Sequence, residues 1–312
     1  MKIVFLGTPF IACPSLKDLA EAGHKILAVV TRPDRPAGRG RRIARCPAAL
    51  TADALGLPVL QPSHVRELAK ELTALGPDLL AVVAFGQLLP PAVLDIPSLG
   101  AVNVHSSLLP ELRGAAPIQR AIMNGLSRTG GTTMYMDRGL DTGDIILQEV
   151  VEIGSQETAA SLGEHLGQAG GGLLKRTVEL IIEGRAPRVR QDHARATLAP
   201  PLVKDEGRME WTRPARELDW LVRGADPWPG AFTFLGGQPL KLFGPTLVLP
   251  EAGEAGPGTL LEGSVAARGF MLVACGQGAL GLSEVQAAGK RRMSAGDFLR
   301  GARLAPGARL GE

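Results

Sequence analysis

Four short apolar runs punctuate the first third of the chain: Lys2–Leu6, Lys25–Val30, Asp78–Phe85 and Ala101–His105. Between them lie stretches with helical spacing. Ala12–Ala22 carries Leu16 and Leu19 on one face and stops at Gly23, and Pro47–Leu55 is a second such stretch. Apolar strands separated by helices return in the same direction rather than as hairpins. The pattern therefore predicts an α/β class with a Rossmann-like, mainly parallel sheet and helices on both faces. Leu57–Leu60 reads as a short extra strand, and Ser63 as the cap of a helix running to about Leu75. The first strand and helix lack a G-x-G-x-x-G fingerprint, so no dinucleotide site is assigned.

Further on, a helix is predicted over Gly114–Asn124, and strands over Thr132–Met136 and Ile145–Ile153. A long helix follows from about Glu157 to Glu183, with a break expected at Gly170-Gly171-Gly172. From Gly184 to Val203 the pattern dissolves into Arg, Pro and polar residues. Beyond it, Trp211 and a short helix to about Arg223 precede Pro227-Trp228-Pro229-Gly230. Short apolar runs then recur at Ala231–Leu235, Leu240–Phe243, Gly258–Leu261, Phe270–Ala274 and Leu280–Val285, separated by glycines, as in a small antiparallel barrel. At 312 residues two domains are expected: residues 1–184, a linker over 185–203, and 204–312.

The net charge of +3 is too small to mark a nucleic-acid binder by itself, but its distribution is uneven. Arg32, Arg35, Arg39, Arg41, Arg42 and Arg45 crowd one stretch, and Lys290-Arg291-Arg292 form a second cluster. The two prolines and two glycines between Thr31 and Arg45 are read as excluding a regular element, leaving a loop that orders on meeting an anion. Three widely spaced cysteines (Cys13, Cys46, Cys275) make neither a disulfide framework nor a zinc pattern, which points to a reducing cytoplasm and no metal. The start is too short in apolar residues for a signal peptide, and no run approaches a membrane span.

Chemistry concentrates in Asn103-Val104-His105-Ser106-Ser107-Leu108-Leu109-Pro110, followed by Arg113-Gly114. Asn103 and His105 are two apart on a strand and so share a face. The carboxyl end of a strand in an α/β sheet is a usual ligand crevice. An amide donor beside an imidazole can polarise a carbonyl and move a proton. Gly139-Leu140-Asp141-Thr142-Gly143-Asp144 adds carboxylates, and Asp141 folded back beside His105 would orient the ring. Neither Ser106 nor Ser107 lies in a G-x-S-x-G elbow, so direct transfer is favoured over a covalent serine mechanism.

Asn103, His105, the Ser-Leu-Leu-Pro segment and Asp141 together resemble the 10-formyltetrahydrofolate-dependent formyltransferases. The run Arg113-Gly114-Ala115-Ala116-Pro117-Ile118-Gln119-Arg120 and the basic loop narrow the resemblance to the branch acting on methionine-charged initiator tRNA. The resemblance implies 10-formyltetrahydrofolate as formyl donor, with Asn103, His105 and Asp141 catalytic and Ser107, Leu108, Leu109 and Pro110 lining the folate site. It also implies Arg39 entering the active-site region, Arg41 and Arg42 on RNA, and a second domain resembling an OB-fold that binds tRNA. A cytoplasmic monomer is expected. Phe85, Ser106, Leu198 and Pro201 depart from residues common in the family (tyrosine, glycine, tyrosine and lysine respectively). Two alternatives stay open: a formyltransferase for a small amine such as glycinamide ribonucleotide or an amino sugar, and a noncatalytic RNA-binding protein on the same scaffold. A small substrate would need neither the basic loop nor the second domain, and binding alone would not need Asn103, His105 and Asp141.

Overall fold

The computed structural model describes residues 1–37, 42–262 and 269–311. In chain order the strands are β1 (Lys2–Gly7), β2 (Lys25–Val30), β3 (Arg35–Ala37), β4 (Arg42–Ala44), β5 (Val59–Leu60), β6 (Leu79–Val83), β7 (Ala101–His105), β8 (Arg128–Tyr135) and β9 (Ile145–Glu152). They continue with β10 (Ala231–Leu235), β11 (Gln238–Leu249), β12 (Met271–Ala274), β13 (Ala279–Ala287) and β14 (Met293–Ser294). The helices are α1 (Cys13–Glu21), α2 (Pro47–Ala54), α3 (Ala69–Leu75), α4 (Pro91–Leu94), α5 (Pro117–Met123), α6 (Ala159–Ile182), α7 (Ala215–Gly224) and α8 (Ala295–Ala302).

Two compact units emerge. The first comprises Met1–Pro117, Arg128–Glu152 and Gly163–Pro200, and the second Ile118–Ser127, Ile153–Leu162 and Pro201–Glu312. In the first, seven strands run in the order β5-β2-β1-β6-β7-β8-β9. All pairings from β5 to β7 are parallel, and β8 and β9 close the sheet antiparallel. Alternation along β1 sends Ile3 and Phe5 into one core with Leu16, Leu19 and Val178, while Val4 and Leu6 enter another with Val65, Leu72 and Val93. Helices therefore cover both faces, as the strand–helix alternation predicts. The chain leaves β1 outward to β2 and β5 and then crosses back to β6. This reversal puts a crevice at the carboxyl ends of β1 and β6, beside the end of β7.

Four local expectations are corrected. The basic stretch does contain regular structure: β3 and β4 pair antiparallel with Arg35 opposite Ala44 and Ala37 opposite Arg42. A two-stranded ribbon has only edge strands, where a proline's missing N–H costs little. Ser63 does not cap a helix. A 3-10 turn over Val65–Leu68 precedes α3, and the Gln87 side chain serves its start, accepting from Val65 N (2.9 Å) and donating to Ser63 O (3.4 Å). The helix after the motif begins at Pro117, because Gly114 holds a left-handed φ of 122° and Pro117 disfavours helical backbone at the residue before it.

The fourth correction is α6, which runs through its three glycines unbroken for 24 residues. A Cβ on Gly170 would meet Val104 Cγ1 at 3.2 Å, and one on Gly171 would meet Asp18 Oδ2 at 2.4 Å and the Pro14 backbone at 3.3 Å. The glycines let the helix lie close on β7 and α1, and the buried Leu166, Leu173, Leu174 and Val178 outweigh the weak local propensity.

The second unit holds a five-stranded antiparallel half-barrel in the order β10-β11-β13-β12, with β14 on β13. The Gly258–Leu261 run contributes only isolated bridges, from Thr259 to Arg309 and from Leu260 to Val273. Trp211 is buried and donates from Nε1 to Thr233 Oγ1 (3.0 Å). The Asp219–Arg223 ion pair (3.0 Å) is buried too, and Arg223 also donates to the Glu157 carbonyl (2.9 Å). No helix among the described residues is long and apolar enough to cross a membrane.

Packing of α6 yields a paired test. A Cβ added to Gly172 would find nothing within 4 Å, so Gly172→Ala should raise stability by about 0.5–1 kcal/mol through helix propensity. Gly171→Ala should gain nothing or lose stability. Equal gains in urea unfolding would show that close packing is not why the glycines are there.

Candidate active site

β7 delivers Asn103 and His105 to the carboxyl edge of the sheet, where β6 lies on one side (Val82 opposite Asn103) and β8 on the other (Thr132 opposite His105). His105 is only 6% exposed. Its Nε2–H donates to the Leu112 carbonyl at 2.9 Å, and its Nδ1 faces Asp141 Oδ2 at 3.7 Å. The ring is thus fixed by a hydrogen bond at Nε2 and turns Nδ1 toward a carboxylate. Among the described residues none hydrogen-bonds the half-buried Asn103 side chain. Its amide is open toward the face that His105 shares.

Two unusual backbone conformations make this geometry. Leu112 (φ 58°) and Asp141 (φ 53°) are non-glycine residues in the left-handed region, which costs energy and is often found at working sites. Leu112 is held by its N–H on Thr197 Oγ1 (2.8 Å). Asp141 is held from two sides. Its Oδ2 accepts from Gly114 N (2.8 Å), and its carbonyl accepts from Gln191 Nε2 (2.9 Å), which also donates to Gly143 O (2.7 Å). The loop braces itself through Asp137 Oδ1, which accepts from Gly139 N and Thr142 Oγ1. Gly143 must be glycine because a Cβ there would strike the Tyr135 carbonyl at 1.7 Å.

Gln191 also accepts from Arg113 Nε (3.1 Å) and Nη2 (2.6 Å), and Arg113 Nη2 reaches His193 Nδ1 (3.2 Å). Arg113 and Gln191 are both buried, and among the described residues no carboxylate lies within ion-pair distance of Arg113. Its charge is instead solvated by an amide oxygen and an imidazole nitrogen. The segment 191–199 is stitched to the motif by backbone bonds as well, Arg113 N to Thr197 O (2.9 Å) and Ala199 N to Arg113 O (2.7 Å). Sequence reading missed Gln191, Thr197 and Thr132, since single polar residues amid Arg and Pro carry no periodic signal.

The Ser107–Pro110 segment is pinned mainly by β8. Thr132 Oγ1 donates to Ser107 O (2.6 Å) and accepts from Leu109 N (3.1 Å), while Gln148 donates to Leu109 O (2.9 Å). Ser107 Oγ turns onto the Glu111 carbonyl, and Leu109 packs with Met134 and Ile145. Of this segment, Leu108 and Pro110 keep partly exposed surface. Arg39 and Arg41 lie outside the described residues, and of Arg42 only the backbone, in β4, is described. The loops after β1, β2 and β6 converge through Thr8, whose Oγ1 accepts from Arg32 N (3.2 Å) and donates to Phe85 O (3.4 Å). Beside them opens a cleft of about 470 Å³ lined by Arg32, Arg35, His64, Arg66, Gln87 and Leu88 among others. Among the described residues no group of three or more His, Cys, Asp or Glu is arranged to hold a metal ion.

Residues 1–178 match the Formyl transferase model, and residues 201–303 match the model for the Formyl transferase C-terminal domain. Methionyl-tRNA formyltransferase from Citrifermentans bemidjiense is 46% identical over 314 residues, covering 100% of this chain and 97% of that protein. The enzyme of that name from Moorella thermoacetica is 48% identical, covering 100% and 99%. The chain belongs to the methionyl-tRNA formyltransferase family. Solved structures share the fold at lower identity. HypX from Aquifex aeolicus in complex with tetrahydrofolic acid matches at TM-score 0.67 and 17% identity, covering 96% of this chain and 47% of that one. The N-formyltransferase from Helicobacter canadensis, in complex with folinic acid and dTDP-3-aminofucose, also matches at 0.67 and 17%, covering 92% and 99%.

Gln191 joins the Asp141 loop to Arg113. Gln191→Ala should cost about 1–3 kcal/mol by stripping partners from buried polar groups, and should lower turnover well beyond any change in KM. A variant that keeps both its melting temperature and its turnover would show that the Asp141 loop holds itself.

Proposed function

We infer that this chain transfers a formyl group from 10-formyltetrahydrofolate to the amino group of methionine on initiator tRNA. The observation that carries the chemistry is His105, fixed at Nε2 with Nδ1 turned toward a carboxylate, beside an Asn103 amide left open on the same face. The folate donor supplies a formyl carbon bound to nitrogen, and the attacking amine takes that carbon as the old carbon–nitrogen bond breaks. Asn103 donates a hydrogen bond to the formyl oxygen as negative charge builds there. His105, oriented through Nε2 by the Leu112 carbonyl, takes the amine proton at Nδ1 beside Asp141, supports the oxygen as the resulting cation, and delivers the proton to the departing nitrogen, which keeps the electron pair. Arg113 and Gln191 fix the Asp141 loop and do not touch the reacting atoms.

The residues present fit such a donor. Leu108 and Pro110 offer partly exposed surface beside the site, and the cleft with Arg32, Arg35 and Arg66 suits the carboxylates that folates carry. Residues 204–312 are proposed as the RNA-binding domain, 1–184 as the catalytic one and 185–203 as the connection. Arg39, Arg41 and Arg42 are proposed to meet the acceptor end of the tRNA.

The deciding assay supplies 10-formyltetrahydrofolate with methionine-charged initiator tRNA, charged elongator tRNA as control, and glycinamide ribonucleotide in parallel. Formylation of the small amine but of neither tRNA would overturn the reading. Asn103→Ala, His105→Ala and Asp141→Ala should each reduce turnover about a hundredfold or more, a loss of about 3 kcal/mol. Their effects should not add, as expected of groups acting as a unit. Near-normal turnover of His105→Ala would remove it from the mechanism.

The basic loop has its own test. Arg39→Ala should impair transfer to tRNA while sparing folate binding, and Arg39→Lys should rescue it only partly, because charge returns without the planar fork. Arg41→Ala and Arg42→Ala should act mainly through salt-dependent affinity. Three variants indistinguishable at two salt concentrations would deny Arg39 a special place.

A further inference from the structure

A second cavity, of about 530 Å³, lies in the first unit at the opposite end of β7 from His105. Its size falls within the roughly 300–1,000 Å³ usual for small-molecule sites. It opens beside Gly100, the residue before β7, and formyl transfer gives it no task. Three segments wall it. Leu94, Asp95 and Leu99 come from the end of α4 and the turn before β7, Tyr135 from the end of β8, and Ile181 and Arg188 from α6 and the chain after it. Gly184, with φ 66°, ends α6 and turns the chain back along the cavity.

The wall offers three kinds of chemistry. The Arg188 guanidinium carbon lies 3.6 Å from the centroid of the Tyr135 ring, a separation that only a flat stack allows. Stacking uses the face of the guanidinium and leaves its edge, the fork that grips a carboxylate with two parallel bonds. That edge is lightly engaged. Asp144 stands 3.8 Å away, beyond hydrogen-bond reach, and the Arg188 side chain is 60% exposed. Asp95, exposed on the wall, pairs with no cation among the described residues. The rest is apolar, with Leu94, Ile181 and Leu99, the last 41% exposed. A molecule carrying a carboxylate, an ammonium group and an apolar body satisfies all three.

The cavity also borders the loop that carries Asp141. This loop leaves the sheet at Tyr135 and returns at Asp144, and Tyr135 N donates to Asp144 O (2.9 Å). Arg188 contacts both residues. Val189 exchanges backbone bonds with Ile145 (2.8 and 2.9 Å), and Gln191 beyond it donates to the Asp141 and Gly143 carbonyls. A ligand that draws on the Arg188 fork therefore acts at both ends of the loop that sets Asp141 beside His105.

We propose that this cavity is a regulatory site for an apolar α-amino acid. The ligand's carboxylate takes the Arg188 fork from Asp144, its ammonium group meets Asp95, and its side chain lies on Leu94, Leu99 and Ile181. The Asp141 loop loosens and turnover falls. Binding stands apart from the formyl-transfer reading, whereas the effect on turnover rests on it.

Calorimetry of the full chain with L-leucine and with L-phenylalanine tests the site, since neither carries the side chain of the proposed acceptor. N-acetyl-L-leucine lacks the ammonium group, L-leucinamide the carboxylate and glycine the apolar body. At least one of the two amino acids should bind, and each trimmed probe should bind about tenfold more weakly or not at all. Asp95→Asn should lose about tenfold in affinity while keeping its basal turnover. Arg188→Lys, which returns charge without the fork, should also bind more weakly. In the formylation assay the bound amino acid should lower kcat and leave KM for charged tRNA unchanged. Asp95→Asn should move that inhibition to about tenfold higher concentration.

No binding of either amino acid would overturn the proposal, as would wild-type affinity in Asp95→Asn or undiminished binding of the trimmed probes. A rise in KM with kcat unchanged would put the amino acid in the catalytic crevice and overturn it too. Binding with no fall in kcat would overturn the regulatory role. If wild type formylates no charged tRNA, the functional reading falls, and calorimetry still decides for or against the cavity.

Discussion

The site hangs on one imidazole held between two acceptors. His105 meets the Leu112 carbonyl at 2.9 Å and the Asp141 carboxylate at 3.7 Å. Neither acceptor would be there if its residue took the ordinary right-handed or extended backbone. Left-handed conformations at Leu112 and Asp141 cost energy, and the surrounding bonds must over-determine them. Thr197 holds the first, and Gly114 and Gln191 hold the second. The setting of His105 therefore depends on a segment that arrives 85 residues after Leu112.

The sheet supplies the rigidity that such a site needs. Asn103 is paired with both β6 and β8, and His105 with β8, so their side chains leave a backbone with little freedom. The reversal of strand order at β1 opens the crevice beside them. The loops that follow β1, β2 and β6 converge there through Thr8. The loops at this edge are braced by side chains from neighbouring elements. Thr132 and Gln148 hold the Ser107–Pro110 segment, and Asp137 holds the Asp141 loop.

The second unit is not contiguous in sequence. Residues Ile153–Leu162 belong to it and are tied in by polar contacts: Gln156 exchanges hydrogen bonds with the Thr246 backbone, and Arg223 binds the Glu157 carbonyl. The buried Asp219–Arg223 pair would be costly alone. Here Thr246 Oγ1 donates to Asp219 and the Glu157 carbonyl accepts from Arg223, so the pair helps fix where this piece of chain docks.

Periodicity alone determined the alternation of strands and helices, because apolar runs of strand length and 3.6-residue spacing are local properties. Residue chemistry and resemblance together marked Asn103, His105 and Asp141. Those residue types have few other reasons to occur together, and the structure puts His105 and Asp141 side by side. Local reading failed where long-range packing overrode propensity. By propensity the glycines of α6 predict a break, yet they are what lets the helix approach β7 and α1. Composition predicts no regular element around β3 and β4, yet a ribbon of two edges tolerates Pro36. Gln191 was invisible because its importance lies in four atoms it meets across the fold, on Arg113, Asp141 and Gly143. Sequence by itself determined the strand–helix alternation and marked the candidate groups. Only the tertiary structure decided how they are aimed, because the bonds that aim them join residues far apart in the chain and no local spacing records such a bond.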